Sequence, residues 1–289
     1  MWRMVIGLLA WTATCSATAV DVVKPLKAEE YLVRYRYPFE LLDEVLKRTV
    51  SDWGPYVEQP YTDPISVARS HQEALRGTLI NVMISDVGQK ELDEGMIPVP
   101  FPVDKGLLGY RVALIDGRNQ QRIAAVTNIE QLRSLTVGQG SNWGDVRIYK
   151  HNRVPVDVAN TYESLFLMLL AGRFDLFPRG ATEVTLELAE YGRRYRGLAI
   201  DQHLLIRYPF AQCFYVSKSD PHLAARLAAG LEQMAKDGGF DALFNKHFGK
   251  PLRDLRLKQR VIIDLDNPFL PVWVPLDRKE LWLKVETLK

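Results

Sequence analysis

The stretch Val67–Asp86, VARSHQEALRGTLINVMISD, contains the pattern that decides the fold. An amphipathic helix stops at Gly77, because glycine readily adopts the left-handed conformation that ends a helix. The apolar run Leu79–Ile84 then predicts a buried strand, which ends on the polar pair Ser85 and Asp86. Ligands of open α/β sheets bind at the carboxyl ends of the strands. The stretch therefore predicts an α/β fold and places Ser85 and Asp86 at its ligand-binding edge.

A second unit of the same kind follows, in which the strand Leu135–Val137 leads into a polar turn. Asn142 is expected to cap the next helix, with Asp145 reaching back to it. Trp143 has two interpretations: its ring stacks on a ligand at the strand end, or it folds back as part of a hydrophobic staple. Ser141 and Asn142 would offer polar groups to the same ligand.

Two more steps of helix and strand complete this unit. Asn160 is expected to cap the helix Thr161–Ala171. The strand Phe174–Phe177 is followed by a predicted turn that contains Arg179. A guanidinium at this position would bind an anionic group of a ligand, and the alternative is that it is simply solvated.

Four short motifs resemble those of the extracellular solute-binding protein family 3, and the resemblance covers Val20–Gly249. It implies an α/β fold of the two-lobed periplasmic-binding-protein type II class, with two hinge crossings and a ligand held between the lobes. The motifs, in chain order, are Leu75-Arg76-Gly77, Leu135-Thr136-Val137-Gly138, Ala171-Gly172-Arg173-Phe174-Asp175, and Ser217-Lys218-Ser219-Asp220-Pro221 followed by Gly238-Gly239-Phe240.

The same resemblance gives the expected boundaries. Residues 20–110 and 211–250 would form the first lobe, residues 111–210 the second lobe, and residues 251–289 an extension packed on the first lobe. The crossings are expected near Tyr110-Arg111-Val112 and near Cys213-Phe214-Tyr215. The extension is interpreted as an edge strand and a proline-rich extended strap, and the alternative is a docking surface for a membrane partner.

The sequence departs from the family at the two positions that bind an α-amino acid. The family's Thr-x-x-Arg motif is replaced by a segment ending in Lys90, which is a looser substitute for a bidentate arginine. The family's ammonium-binding aspartate would fall eight residues after Gly172, where this chain has Gly180. Standard zwitterionic amino acids are therefore expected to bind weakly.

The N-terminus has the order of a secretory signal peptide. One basic residue, Arg3, precedes a short apolar run, and Ala17-Thr18-Ala19 offers a cleavage site after Ala19. The alternatives are a retained anchor or an N-terminal core helix. We expect a mature periplasmic protein that begins at Val20 and contains a single cysteine, Cys213.

Composition excludes several classes of function. The formal net charge of +2 gives no footprint for nucleic acid. The 5 histidines do not occur at metal-ligand spacing, and neither a nucleophile elbow nor a dinucleotide fingerprint is present. We therefore expect no metal, no cofactor and no enzymatic activity. The alternative enzyme is a dehydratase-like protein, which would need a cleft carboxylate whose pKa is raised by burial.

The sequence thus predicts a periplasmic solute-binding protein, expected to be a monomer, that captures a small polar or anionic ligand. Its partner would be an inner-membrane transporter of the ABC type or a membrane sensor. A ligand-free structural or interaction protein is the remaining alternative. The predicted ligand-binding residues are Ser85, Asp86, Ser141, Asn142, Trp143 and Arg179.

Overall fold

The computed structural model describes residues 20–29 and 36–287. The predicted signal peptide, residues 1–19, lies outside the described residues. Among the described helices, none has both the length and the apolar character that crossing a membrane requires.

Strands and helices alternate along the described chain. The strands are β1 (Asp21–Val23), β2 (Tyr56–Glu58), β3 (Val82–Asp86), β4 (Met96–Pro98), β5 (Tyr110–Asp116), β6 (Val137–Gly140), β7 (Val156–Ala159), β8 (Phe177–Gly180), β9 (Leu198–Ile200), β10 (Leu204–Arg207), β11 (Gln212–Ser217) and β12 (Val261–Asp264). The helices are α1 (Arg36–Arg48), α2 (Val50–Trp53), α3 (Val67–Arg76), α4 (Lys90–Gly95), α5 (Gln120–Ile123), α6 (Ile129–Leu132), α7 (Asp145–His151), α8 (Tyr162–Leu170), α9 (Val184–Tyr191), α10 (Pro221–Asp237) and α11 (Gly239–Asp254).

Helix α3 and strand β3 confirm the helix and the buried strand predicted within Val67–Asp86. The Ser66 side chain accepts a hydrogen bond from the Arg69 N–H at the start of α3, and Gly77 ends the helix with a φ of 70°. Strand β3 starts at Val82, later than predicted, and includes Ser85 and Asp86 as its last residues. Both polar residues therefore stand at the carboxyl end of a strand.

The helix cap predicted at Asn142 is wrong. The Trp143 N–H donates to the Gly140 carbonyl at 3.0 Å, and this tight turn delays the start of the helix. Helix α7 begins at Asp145 after Gly144, and no side chain caps it. Asn142 stays in the turn, exposed.

The cap predicted at Asn160 is also wrong, by one position. The Thr161 side chain accepts a hydrogen bond from the Ser164 N–H, and the Thr161 backbone is extended as an N-cap requires. Threonine fulfils the same role as asparagine, so the helix that follows lies close to where the sequence placed it.

The first lobe contains an antiparallel sheet in which β11 lies between β3 and β4. Phe214 of β11 faces Ile84 of β3, and Tyr215 faces Pro98 of β4. Helices α1, α10 and α11 pack together beside this sheet. Their apolar faces belong to the same buried core cluster.

The second lobe contains the parallel pair β6 and β7, and a larger sheet in which β5 pairs with β8, β9 and β10. Arg179 lies in β8 opposite Val112, so the prediction that it occupies a turn is wrong. Gly138–Gly140 likewise continue strand β6. In both segments backbone pairing with a distant strand overrides the turn preference of Gly and Pro.

Two extended segments join the lobes. The first enters β5, whose residues Tyr110 and Arg111 pair with Arg207 and Ile206 of β10. The second runs from the end of β10 to the start of β11. The residues Cys213–Tyr215, predicted as the second crossing, lie in β11, where all three pair with β3 and Tyr215 also pairs with β4.

The C-terminal segment contacts both lobes. Strand β12 pairs in parallel with β10, and so belongs to the sheet that contains β5. The chain then returns to the first lobe, where the Leu283 N–H donates to the Lys105 carbonyl at 2.8 Å and Arg278 pairs with Glu232 of α10. Val274 and Leu281 are buried, whereas Phe269, Val272 and Leu276 are exposed.

Candidate functional site

The six residues predicted from the sequence line one cleft between the two lobes. The cleft has a volume of about 1910 Å³. A closed site for a small molecule measures only about 300–1,000 Å³, so the cleft has room to contract around a ligand. The structure brings together Ser85, Asp86, Ser141, Asn142, Trp143 and Arg179.

Asp86 is a charged group on the first-lobe wall of the cleft. Its Oδ1 accepts a hydrogen bond from Gln212 Nε2 at 2.9 Å, across the pairing of β3 with β11. Burial raises the pKa of the Asp86 carboxyl, the hydrogen bond from Gln212 lowers it, and the nearby Asp145 raises it again, with a net rise. Gln212 donates to this carboxylate, and Arg111 compensates part of its charge. A cleft carboxylate whose pKa is raised by burial is also what the alternative, a dehydratase-like enzyme, would need.

Ser85 and Asp104 shape the same wall. Ser85 Oγ accepts from Gln89 Nε2 at 3.1 Å. The Asp104 carboxylate accepts backbone hydrogen bonds from Gly106 at 3.0 Å, Leu108 at 2.9 Å and Gln212 at 3.2 Å. Burial nevertheless raises the pKa of Asp104 to about 6. Asp104 thus holds the turn that leads into the first crossing.

Trp143 is folded back onto its own strand and still lines the cleft. A β-carbon at Gly140 would lie 2.5 Å from Trp143 Cε2, so only glycine leaves room for the ring. The ring stacks on Phe177, with centroids 6.2 Å apart and planes at 13°. The side chain remains partly exposed. Both interpretations of Trp143 thus keep a physical basis: one part of the ring is packed, and another part borders the cleft.

Arg179 is enclosed by aromatic rings and acidic side chains. Its guanidinium lies 4.6 Å from the centroid of the Trp143 ring and 5.5 Å from that of Tyr162. Nε and Nη2 bind the Glu187 carboxylate in bidentate fashion, at 2.7 and 2.8 Å. Nη2 also lies 3.2 Å from Glu183 Oε2. Arg179 therefore already has carboxylate partners, and the prediction of an anion-binding arginine loses its basis.

Sequence reasoning missed Glu183 and Glu187. They lie four and eight residues after Arg179, at the start of α9 and within it. Helix α9 follows this strand and packs against β5 and β9 of the same sheet, and both glutamates contact the Arg179 guanidinium. The signal in the sequence was this spacing of one arginine and two glutamates around a Pro-Arg-Gly segment.

A second buried ion pair joins the crossings to α7. Arg111 Nη2 lies 2.6 Å from Asp145 Oδ1, and Arg111 Nε donates to Tyr208 Oη at 2.8 Å. The Tyr208 hydroxyl in turn donates to Asp145. Burial lowers the pKa of Arg111, but Asp145, Tyr208 and Glu183 together more than offset it, so the pKa of Arg111 is raised. Asp145, predicted as a capping residue, instead fixes α7 to both crossings.

Comparison with solved structures identifies the architecture. The BvgS VFT2 domain of Bordetella pertussis matches with a TM-score of 0.54 and 15% identity, over 79% of this chain and 92% of that one. A periplasmic His/Glu/Gln/Arg/opine family-binding protein from Silicibacter pomeroyi, in complex with lysine, matches with a TM-score of 0.52 and 14% identity, over 80% and 97%. The chain has the two-lobed type II fold of periplasmic binding proteins.

A third match agrees with these two. An ancestral arginine-binding protein bound to arginine gives a TM-score of 0.50 and 16% identity, over 79% of this chain and 98% of that one. No protein-family model matches the sequence, and no curated protein does. At these identities the likeness establishes the fold and leaves function to the site itself.

Proposed function

We propose that the protein is an exported, periplasmic solute-binding protein that closes its two lobes over a small polar ligand. The observation that carries the proposal is that Asp86 of one lobe and Trp143 of the other line a single cleft. Both stand at or just after the carboxyl end of a strand, β3 and β6 respectively. A ligand held by both walls favours the closed state by the difference between its affinities for the two states.

The hinge follows from the crossings. We propose lobe boundaries at residues 110 and 111 and at residues 210 and 211, so that the segments 20–110 and 211–250 move together. The pairing of β5 with β10 would persist, and rotation would occur at its ends. The closed protein would then present a different surface to an inner-membrane transporter or sensor.

Ligand binding and closure are tested together. Native mass spectrometry of protein purified from its own periplasm should find a co-purifying compound, and thermal unfolding should shift upward when it is added. A ligand at 100 times its Kd adds about 2.7 kcal/mol of stability. Small-angle scattering should show contraction at saturation. A protein that co-purifies with no compound and does not contract with any periplasmic extract would contradict the proposal.

The raised pKa of Asp86 favours one second candidate, an enzyme that uses Asp86 as an acid–base group in the cleft. The candidates differ in what happens to the bound compound. Incubation followed by NMR should recover it unchanged from a binding protein. A new product that disappears in an Asp86→Asn variant would identify an enzyme.

A further inference from the structure

The inner part of the cleft contains more negative than positive charge among the described residues. The carboxylates that act on Asp86 are Asp145 and Glu183, whereas Arg111 opposes them. Including the Arg179–Glu187 pair, four carboxylates face two guanidinium groups. The imbalance remains after every buried ion pair has been formed.

The two arginines do not offer a site for an anion. Arg111 is 4% exposed and Arg179 is 3% exposed. Each contacts carboxylate oxygens, Arg111 those of Asp145 and Arg179 those of Glu187 and Glu183. Moving either onto a ligand anion would leave a buried carboxylate without its cation, which costs several kcal/mol.

The other cationic side chains that line the cleft are exposed, so solvent screens their charges. Lys90 is exposed and lies 3.8 Å from Glu94. Arg147 is exposed and donates to the Gly88 carbonyl at 3.0 Å. Arg36 and Lys150 are exposed as well. Screening reduces the effect of such surface charges, so they do not cancel the negative charge at the inner end.

We infer that the ligand is an organic cation, with an ammonium or guanidinium group that donates to the Asp86 carboxylate and with no carboxylate of its own. This inference rests on the proposed function and specifies the ligand of the same site. Gln212 donates to Oδ1 of Asp86, and the partly exposed Asp86 lines the cleft. A donor there would form a charge-assisted hydrogen bond and compensate part of the excess charge. At the inner end of the cleft, a ligand carboxylate would meet other carboxylates and two arginines that are already paired.

Calorimetry with a charge-matched panel tests the inference. The probes are agmatine and putrescine as cations, succinate as an anion and glycerol as a neutral compound. We expect binding of at least one cation and of neither other class. An Asp86→Asn variant keeps the acceptor for Gln212 and removes the charge, and it should weaken cation binding about 10- to 100-fold.

Two further variants make the result specific. Asp157→Asn removes an exposed carboxylate of β7 and should leave the affinity unchanged. Asp86→Ser is a second removal of the charge, and thermal unfolding of each variant shows whether it folds. Equal binding of the cation by wild type and both folded Asp86 variants would overturn the inference.

The other outcomes separate this inference from the proposed function. Binding of succinate or glycerol, with contraction in scattering and without binding of the amines, would overturn the cationic ligand and keep the solute-binding function. If periplasmic extract also produced no ligand and no contraction, both would fail.

Discussion

The two walls of the cleft differ in how completely their charges are paired. On the second-lobe wall, Arg179 binds two glutamates and packs against Trp143 and Tyr162. On the first-lobe wall, Asp86 has one amide partner, Gln212. A fully paired buried network is rigid and costly to disturb, whereas a partly compensated charge is available to a ligand. Under the proposed function, the second-lobe wall is a preformed scaffold and the first-lobe wall attracts the ligand.

The largest expected effect comes from removing the charge of Arg179 on the second-lobe wall. Arg179→Met would leave the buried Glu187 without its cation, and we expect a loss of about 3–5 kcal/mol in the free energy of unfolding. Chemical denaturation measures it. Removing Glu187 as well, in Arg179→Met with Glu187→Met, should recover part of the loss. An Arg179→Met protein as stable as wild type would show that the network does not support the fold.

The next effect concerns pH and the first-lobe wall. The folded-state pKa of Asp104 is raised by burial to about 6, from an ordinary value of 3.8. Between these values the folded state holds a proton that the unfolded state has released, so this group's contribution to stability falls as pH rises from about 4 to about 6. The fall amounts to ~3 kcal/mol and ends above the folded pKa.

Comparison with an Asp104→Asn variant isolates this contribution. The difference in unfolding free energy between wild type and variant should change by ~3 kcal/mol across that window, to the disadvantage of wild type. Asp116 is the control of opposite sign, because hydrogen bonds from Arg118 lower the pKa of its carboxyl. Its contribution is present above its ordinary pKa and lost as pH falls. A flat difference for Asp104→Asn would contradict the prediction.

A smaller expected effect tests whether Trp143 of the second-lobe wall also contacts the ligand. Trp143→Ala should weaken ligand binding by about 1–3 kcal/mol if the exposed part of the ring stacks on the ligand. Trp143→Phe, which retains an aromatic face, should lose less. Titration calorimetry with the identified ligand measures both. Unchanged affinity in the folded alanine variant would leave Trp143 with only its packing role against Phe177.

The smallest effect concerns a contact between the lobes. Arg147 of α7 donates to the Gly88 carbonyl and lies 4.9 Å from the Phe269 ring centroid. Because the side chain is exposed, Arg147→Ala should change the balance of open and closed states by about 0.5–1 kcal/mol only. Small-angle scattering of the ligand-free protein would show it as a slight change in radius of gyration. A large expansion would mean that this contact holds the lobes together.

Local sequence patterns predict several of the residues that line the cleft. The apolar run before Ser85 and Asp86 placed both residues at a strand end, because burial of a short apolar segment depends on its own composition. The apolar strand before Ser141 and Trp143 likewise predicts the polar turn that contains them. These groups do line the cleft. The order of strands and helices likewise predicted the α/β fold.

Charge pairing was decided only by the tertiary structure. The sequence predicts an anion-binding arginine at position 179, whereas in the folded chain Glu187 of α9 binds its guanidinium. The sequence predicts a capping role for Asp145, whereas in the folded chain it binds Arg111, which is distant in sequence. The C-terminal strand β12 likewise pairs with β10 of the larger sheet. The physical reason is common to all three: propensity and burial act over a few residues, whereas ion pairs and strand partners depend on segments that meet only after the chain has folded.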